Sequence, residues 1–270
     1  MSFTKPLLSA ILTLLLAPAL CLAHYPFPCS QEEHEAAELI GKAVEARTQE
    51  SVATLVDLLE DENSRIQTAA LLGTIHLADR PLDFTEVETV ASELKDSERD
   101  FLSATGDVAV IVFDKELTDE ERLARLVLLT KSTEGRENGM LPRGEGQKAY
   151  QRRMAAETLG VLGDASVLSD LEALVDDGFP SWDDSFDMKP CGRVAFESWW
   201  KIREPELSEE EKLPALVGSL HLGTPFRSRW CDAACNLLYE AGEASVPYLI
   251  PLANGDDRNA MLWALRTLSS

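Results

Sequence analysis

One spacing occurs twice in this chain, and it narrows the possible folds more than any other feature. Arg65-Ile66-Gln67-Thr68-Ala69-Ala70-Leu71-Leu72-Gly73 and Arg152-Arg153-Met154-Ala155-Ala156-Glu157-Thr158-Leu159-Gly160 share arginine, alanine, leucine and glycine at matching offsets, 87 residues apart. Half of that interval lies within the ~40–47-residue period of arrays built from helix pairs. Each copy follows an amphipathic run, so each reads as the second helix of a two-helix unit. Small residues at Ala69 and Ala70 let neighbouring helices approach closely. Stacked pairs bury a continuous core and present long surfaces, an arrangement suited to binding more than to chemistry.

The rest of the chain fits this period. Ser30 and Glu33 form a capping-box pattern that opens a helix to about Arg47, read as an N-terminal cap. The first pair takes Val52, Leu55 and Leu59, then Ile66, Ala69 and Leu72. A second begins at another box, Thr85 with Glu88, and continues from about Glu98 to Lys115. Val108–Phe113 is rich in β-branched residues, yet helical flanks and the lack of a partner strand keep it helical. Thr118 with Glu121 caps a third pair, completed by the helix holding the Arg152 motif. The fourth takes Leu168–Val175 and Arg193–Ile202. The fifth opens at Ser208 with Glu211 and runs through Leu213–Leu220 and Phe226–Tyr239. The sixth joins Val246–Leu252 to Asn259–Leu268. Pro251 should bend its helix.

Two insertions interrupt the period, about residues 132–147 and 177–190, each joining a first helix to a second. The predicted fold is therefore all-α: an α-solenoid of about six helix pairs plus the capping helix, forming one domain over residues 24–270. These residues resemble the HEAT-repeat family, including its bacterial HEAT-like relatives of the phycobilisome-lyase type. The resemblance implies a protein-binding scaffold. Lyase members attach a bilin chromophore, so a lyase or chromophore-handling activity is the alternative it implies. Nothing beyond the repeats supports that chemistry.

Residues 1–23 read as a secretory signal: Lys5, an apolar run Leu7–Leu16, Pro18, and Cys21-Leu22-Ala23 before a cut at His24. A lipoprotein cut at Cys21 is the competing reading, weakened by Leu20 directly before it. The expected location is exported, periplasmic or extracellular, with no membrane span. Four cysteines would remain, Cys29, Cys191, Cys231 and Cys235, an even number that suggests disulfides. The favoured pairing joins Cys191 to Cys231 or Cys235.

The formal charge of −22, from 25 basic and 47 acidic side chains, repels phosphate backbones and argues against nucleic acid. A protein partner with a basic face is favoured, and the chain itself should be a monomer. Contact residues are expected at Phe179, Trp182, Asp183, Asp184 and Phe186, loop aromatics rimmed by carboxylates, unless the rings fold back onto adjacent helices. Arg143 and Arg152, with Lys148 and Arg153, form a local basic group that either pairs with carboxylates of a neighbouring repeat or receives an anion. Trp199, Trp200 and Trp263 read as core.

No Ser-His-Asp arrangement, nucleophile elbow or phosphate loop can be placed, so no enzyme and no cofactor are expected. Metal-binding readings rest on weaker patterns. They are copper at His24 and His34, calcium at Asp176, Asp177, Asp183, Asp184 and Asp187, or a site from Cys191, Cys231, Cys235 and His221. No metal ligand is assigned.

Overall fold

A computed structural model describes residues 30–132, 146–178, 190–223 and 228–269. Among these residues the chain is entirely helical, with thirteen α-helices and no strand. They are α1 Gln31–Ala46, α2 Gln49–Leu59, α3 Ser64–His76, α4 Thr85–Leu94, α5 Asp100–Phe113, α6 Asp119–Thr130 and α7 Gln147–Leu162. There follow α8 Leu168–Glu172, α9 Cys191–Arg203, α10 Glu209–Ser219, α11 Arg229–Glu240, α12 Val246–Ala253 and α13 Arg258–Ser269. No helix of the described residues is long and apolar enough to cross a membrane.

The chain divides into two compact units after Phe113. In the first, α1 packs on α2 and α3, α2 on α3, α3 on α5, and α4 on α5. In the second, the neighbours α6–α7, α8–α9, α10–α11 and α12–α13 pack together. There, α7 meets α9, α9 meets α11, and α11 meets α13, while α6 meets α8 and α10 meets α12. Thus, within each unit, a second helix lies on its own first helix and on the second helix of the next pair. Leu55, Ile66, Leu71 and Ala104 fill the first core; Leu126, Met154, Leu159, Phe196, Trp230 and Trp263 fill the second.

Local chemistry sets where these helices start. Ser30 Oγ accepts from the Glu33 N–H, and Glu33 accepts from the Ser30 N–H in return. Glu33 Oε1 also takes Asn63 Nδ2 at 3.0 Å, tying α1 to the start of α3. Thr118 and Glu121 form the same reciprocal box at α6, and the Glu211 carboxylate accepts both the N–H and the hydroxyl of Ser208 at α10. Each box satisfies donors that a helix start otherwise leaves to water.

The box expected at Thr85 is not formed. Thr85 is instead the first helical residue, and Asp83 accepts its N–H at 3.0 Å and its hydroxyl at 2.6 Å. A carboxylate two residues before competes successfully for the same donor. A box absent from the sequence reading, Thr48 with Ser51, opens α2.

The expected disulfide is also corrected: Cys191, Cys231 and Cys235 are free, buried thiols. α9 and α11 do pack together, but the sulfurs have other neighbours. Cys231 Sγ lies 3.8 Å from the Leu220 carbonyl, Cys235 Sγ lies 3.9 Å from that of Trp263, and Cys191 sits beside Asp177. Bridging needs the Cβ atoms to face each other at close range, which adjacent helices do not supply by themselves.

Candidate functional site

Arg152 occupies a core position. It shares a face of α7 with Ala149, Ala156 and Leu159, all wholly buried, and its own exposure is 0%. A guanidinium there carries a desolvation penalty of several kcal/mol unless its donors are met. They are met by two chain stretches from outside the helix. Arg152 Nε donates to Asp177 Oδ2 at 2.5 Å and Nη2 to Oδ1 at 3.3 Å, the paired geometry that suits a carboxylate. Nη1 donates to the Ser132 carbonyl at 3.2 Å.

Both stretches flank the insertions. Ser132 is the last described residue before residue 146, and Asp177 lies beside the second gap, which begins after Gly178. Across that gap the chain returns to the same place, since the Gly192 N–H donates to the Asp177 carbonyl at 2.8 Å. A Cβ on Gly192 would stand 3.0 Å from the carbonyl oxygens of Leu174, Val175 and Asp177, so this turn of α9 lies directly on the chain leaving α8. Ser228, first after the gap 224–227, donates its hydroxyl to the Val175 carbonyl at 3.0 Å and caps α11 through the Cys231 N–H at 3.2 Å.

Asp177 also sets the surroundings of Cys191. That thiol is fully buried, and burial first, then the negative charge of Asp177, pushes it far above its ordinary range. Burial likewise pushes Cys231 up to about 12 and raises Cys235. Thiols held protonated in this way are poor nucleophiles and poor metal ligands at neutral pH.

The expected site residues separate into two groups. Phe179, Trp182, Asp183, Asp184, Phe186, Arg143 and Cys29 lie outside the described residues, as do His24, Asp187 and residues 1–23. Arg152 is described, and it is no surface contact: its guanidinium is enclosed and held by Asp177. Of the two roles read for the basic group, Arg152 takes the pairing one, with a carboxylate from the following pair. Arg153 is also buried and lies 3.6 Å from Glu157 on its own helix.

Asp177, one of the acids considered for calcium, faces the guanidinium. His221 meets Asp257 at 2.6 Å on the surface. Among the described residues no three metal-binding side chains gather. Trp199 and Trp263 are core, as read; Trp200 is half-buried. The Trp199 indole donates to Glu172 at 3.0 Å, and its ring joins Phe196 and Trp230 in one cluster.

That Asp177 is the pairing carboxylate, and that the Ser132 carbonyl shares the guanidinium, was not anticipated. The signal available in the sequence was Arg152 itself, placed where the α7 periodicity calls for an apolar residue. Comparison of the chain with family models, curated proteins and solved structures gives no match.

Proposed function

We propose that this chain is an exported, non-catalytic binding scaffold, an α-solenoid of HEAT-like helix pairs that engages a protein with a basic face. The observation that carries this reading is the way both insertions enter the fold. Residues 132 and 177 meet on one buried guanidinium, so the segments that follow them leave the helices from adjoining points. Insertions that start from a rigid base are the usual place for contacts in repeat architectures. The packing of successive second helices, α7 on α9 on α11 on α13, is of the kind such arrays use. The charge of −22 favours a basic partner.

In this reading residues 1–23 are removed on export, and Phe179, Trp182 and Phe186, rimmed by Asp183 and Asp184, supply the apolar contacts. Arg143 in the other insertion faces the same partner. The protein acts as a monomer. The test is affinity capture from the native host's exported fraction, using wild type and the Trp182→Ala/Phe186→Ala double variant, with circular dichroism to verify equal folding. Loss of one specific basic protein from the variant supports the reading. Equal recovery of the same proteins by both removes the acidic segment from it.

A further inference from the structure

We infer that Arg152 is a shared latch, one side chain through which opening of the chain at Ser132 is coupled to opening at Asp177 and at Gly192. Its bonds divide between them: two nitrogens hold the Asp177 carboxylate, and the third holds the Ser132 carbonyl. Asp177 in turn fixes Gly192 through its backbone carbonyl. Local anchors on either side are short-range, Ser132 N–H to Leu129 O at 3.4 Å and Asp177 N–H to Leu174 O at 2.9 Å. Arg152 bonds to both stretches at once.

The coupling follows from burial. Withdrawal of Asp177 leaves a guanidinium with 0% exposure and no countercharge. A buried charge in that state seeks water, and the way out for it also abandons the Ser132 carbonyl. The same withdrawal uncovers Cys191, which lies against Asp177 at the start of α9. Cys191 therefore reports the state of the latch. Cys235, buried in α11 against the Trp263 carbonyl, reports wider unfolding.

The experiment uses the full chain without any partner, so its outcome is independent of whether a basic protein binds. Pulsed thiol alkylation with peptide mass mapping gives separate rates for Cys191 and Cys235. Hydrogen exchange gives protection across 129–132 and at Gly192. Removing one partner of a buried pair shifts opening by about 10²–10³-fold. In Arg152→Met, alkylation of Cys191 and exchange at both stretches should rise together by about that factor, while Cys235, which waits on wider unfolding, stays slower than Cys191. Should that variant not fold, Arg152→Lys keeps the charge but only one nitrogen, and the same coupled rise is expected at about tenfold. A rise confined to one stretch, no rise at all, or labelling of Cys191 no faster than that of Cys235 overturns the inference.

Discussion

Three glycines inside helices of the second unit and its neighbour make opposite predictions for the same substitution. The decisive one is Gly160 on α7. A Cβ added there would stand 2.8 Å from Ser198 Cα, 2.7 Å from its Cβ and 2.5 Å from its Oγ. A hydroxyl can rotate away, but Ser198 Cα belongs to the backbone of α9. Relief therefore requires the two helices to move apart. Overpacking of this kind costs about 1–3 kcal/mol. Alanine also gains about 1 kcal/mol over glycine in a helix interior, which offsets part of that cost. The net expectation for Gly160→Ala is destabilisation by up to about 2 kcal/mol.

Gly218 on α10 has nothing within 4 Å, so there the propensity term acts alone and Gly218→Ala should stabilise by up to about 1 kcal/mol. Gly73, the counterpart of Gly160 in the repeated motif, lies between. Its Cβ would meet only side-chain methyls, Leu55 Cδ2 at 3.0 Å and Ile40 Cγ2 at 3.2 Å, which can shift. Gly73→Ala should change stability by less than about 1 kcal/mol. Urea unfolding followed by tryptophan fluorescence reports the second unit, because all five tryptophans lie between residues 182 and 263. Circular dichroism follows Gly73→Ala in the first unit. If Gly160→Ala stabilises as Gly218→Ala does, the close approach of α7 to α9 is wrong.

Ser228→Ala should lower the stability of the second unit by about 1–2 kcal/mol, since one hydroxyl both caps α11 and bonds Val175; an unchanged urea midpoint would disprove the dual role. Several surface carboxylates are held below their ordinary range: Asp257 by a hydrogen bond from His221, Glu121 by the Thr118 N–H, and Glu211 by the Ser208 hydroxyl. A depressed folded value contributes stability above the unfolded carboxylate range, which is lost as pH falls through the folded value. Thermal midpoints should accordingly be insensitive to these groups from pH 5 to 8 and drop below about pH 4; a decline already present between pH 8 and 6 would count against this assignment.

Much of the helical layout was legible because it is local. The apolar spacing of Val52, Leu55 and Leu59, or of Ile66, Ala69 and Leu72, depends only on 3.6-residue periodicity, and the boxes at Ser30, Thr118 and Ser208 need only neighbours three residues away. Even Val108–Phe113 reads correctly as the end of α5 despite its β-branched content. Thr85 failed for an equally local reason: Asp83 offered a charged acceptor that a pattern beginning at Thr85 leaves out.

The sequence alone thus determined the thirteen short α-helices of the described residues, a capping helix and six consecutive pairs, with two interruptions of the period. Tertiary structure decided which distant groups meet. Arg152 and Asp177 are 25 residues apart, and nothing in either one's local pattern names the other. Packing of α7 on α9 brings them together, and burial then forces a charge to take whichever countercharge lies within reach. The same packing directs Cys191, Cys231 and Cys235 to separate neighbours. Periodicity places a residue on a face of its helix; only the arrangement of neighbouring helices decides what that face touches.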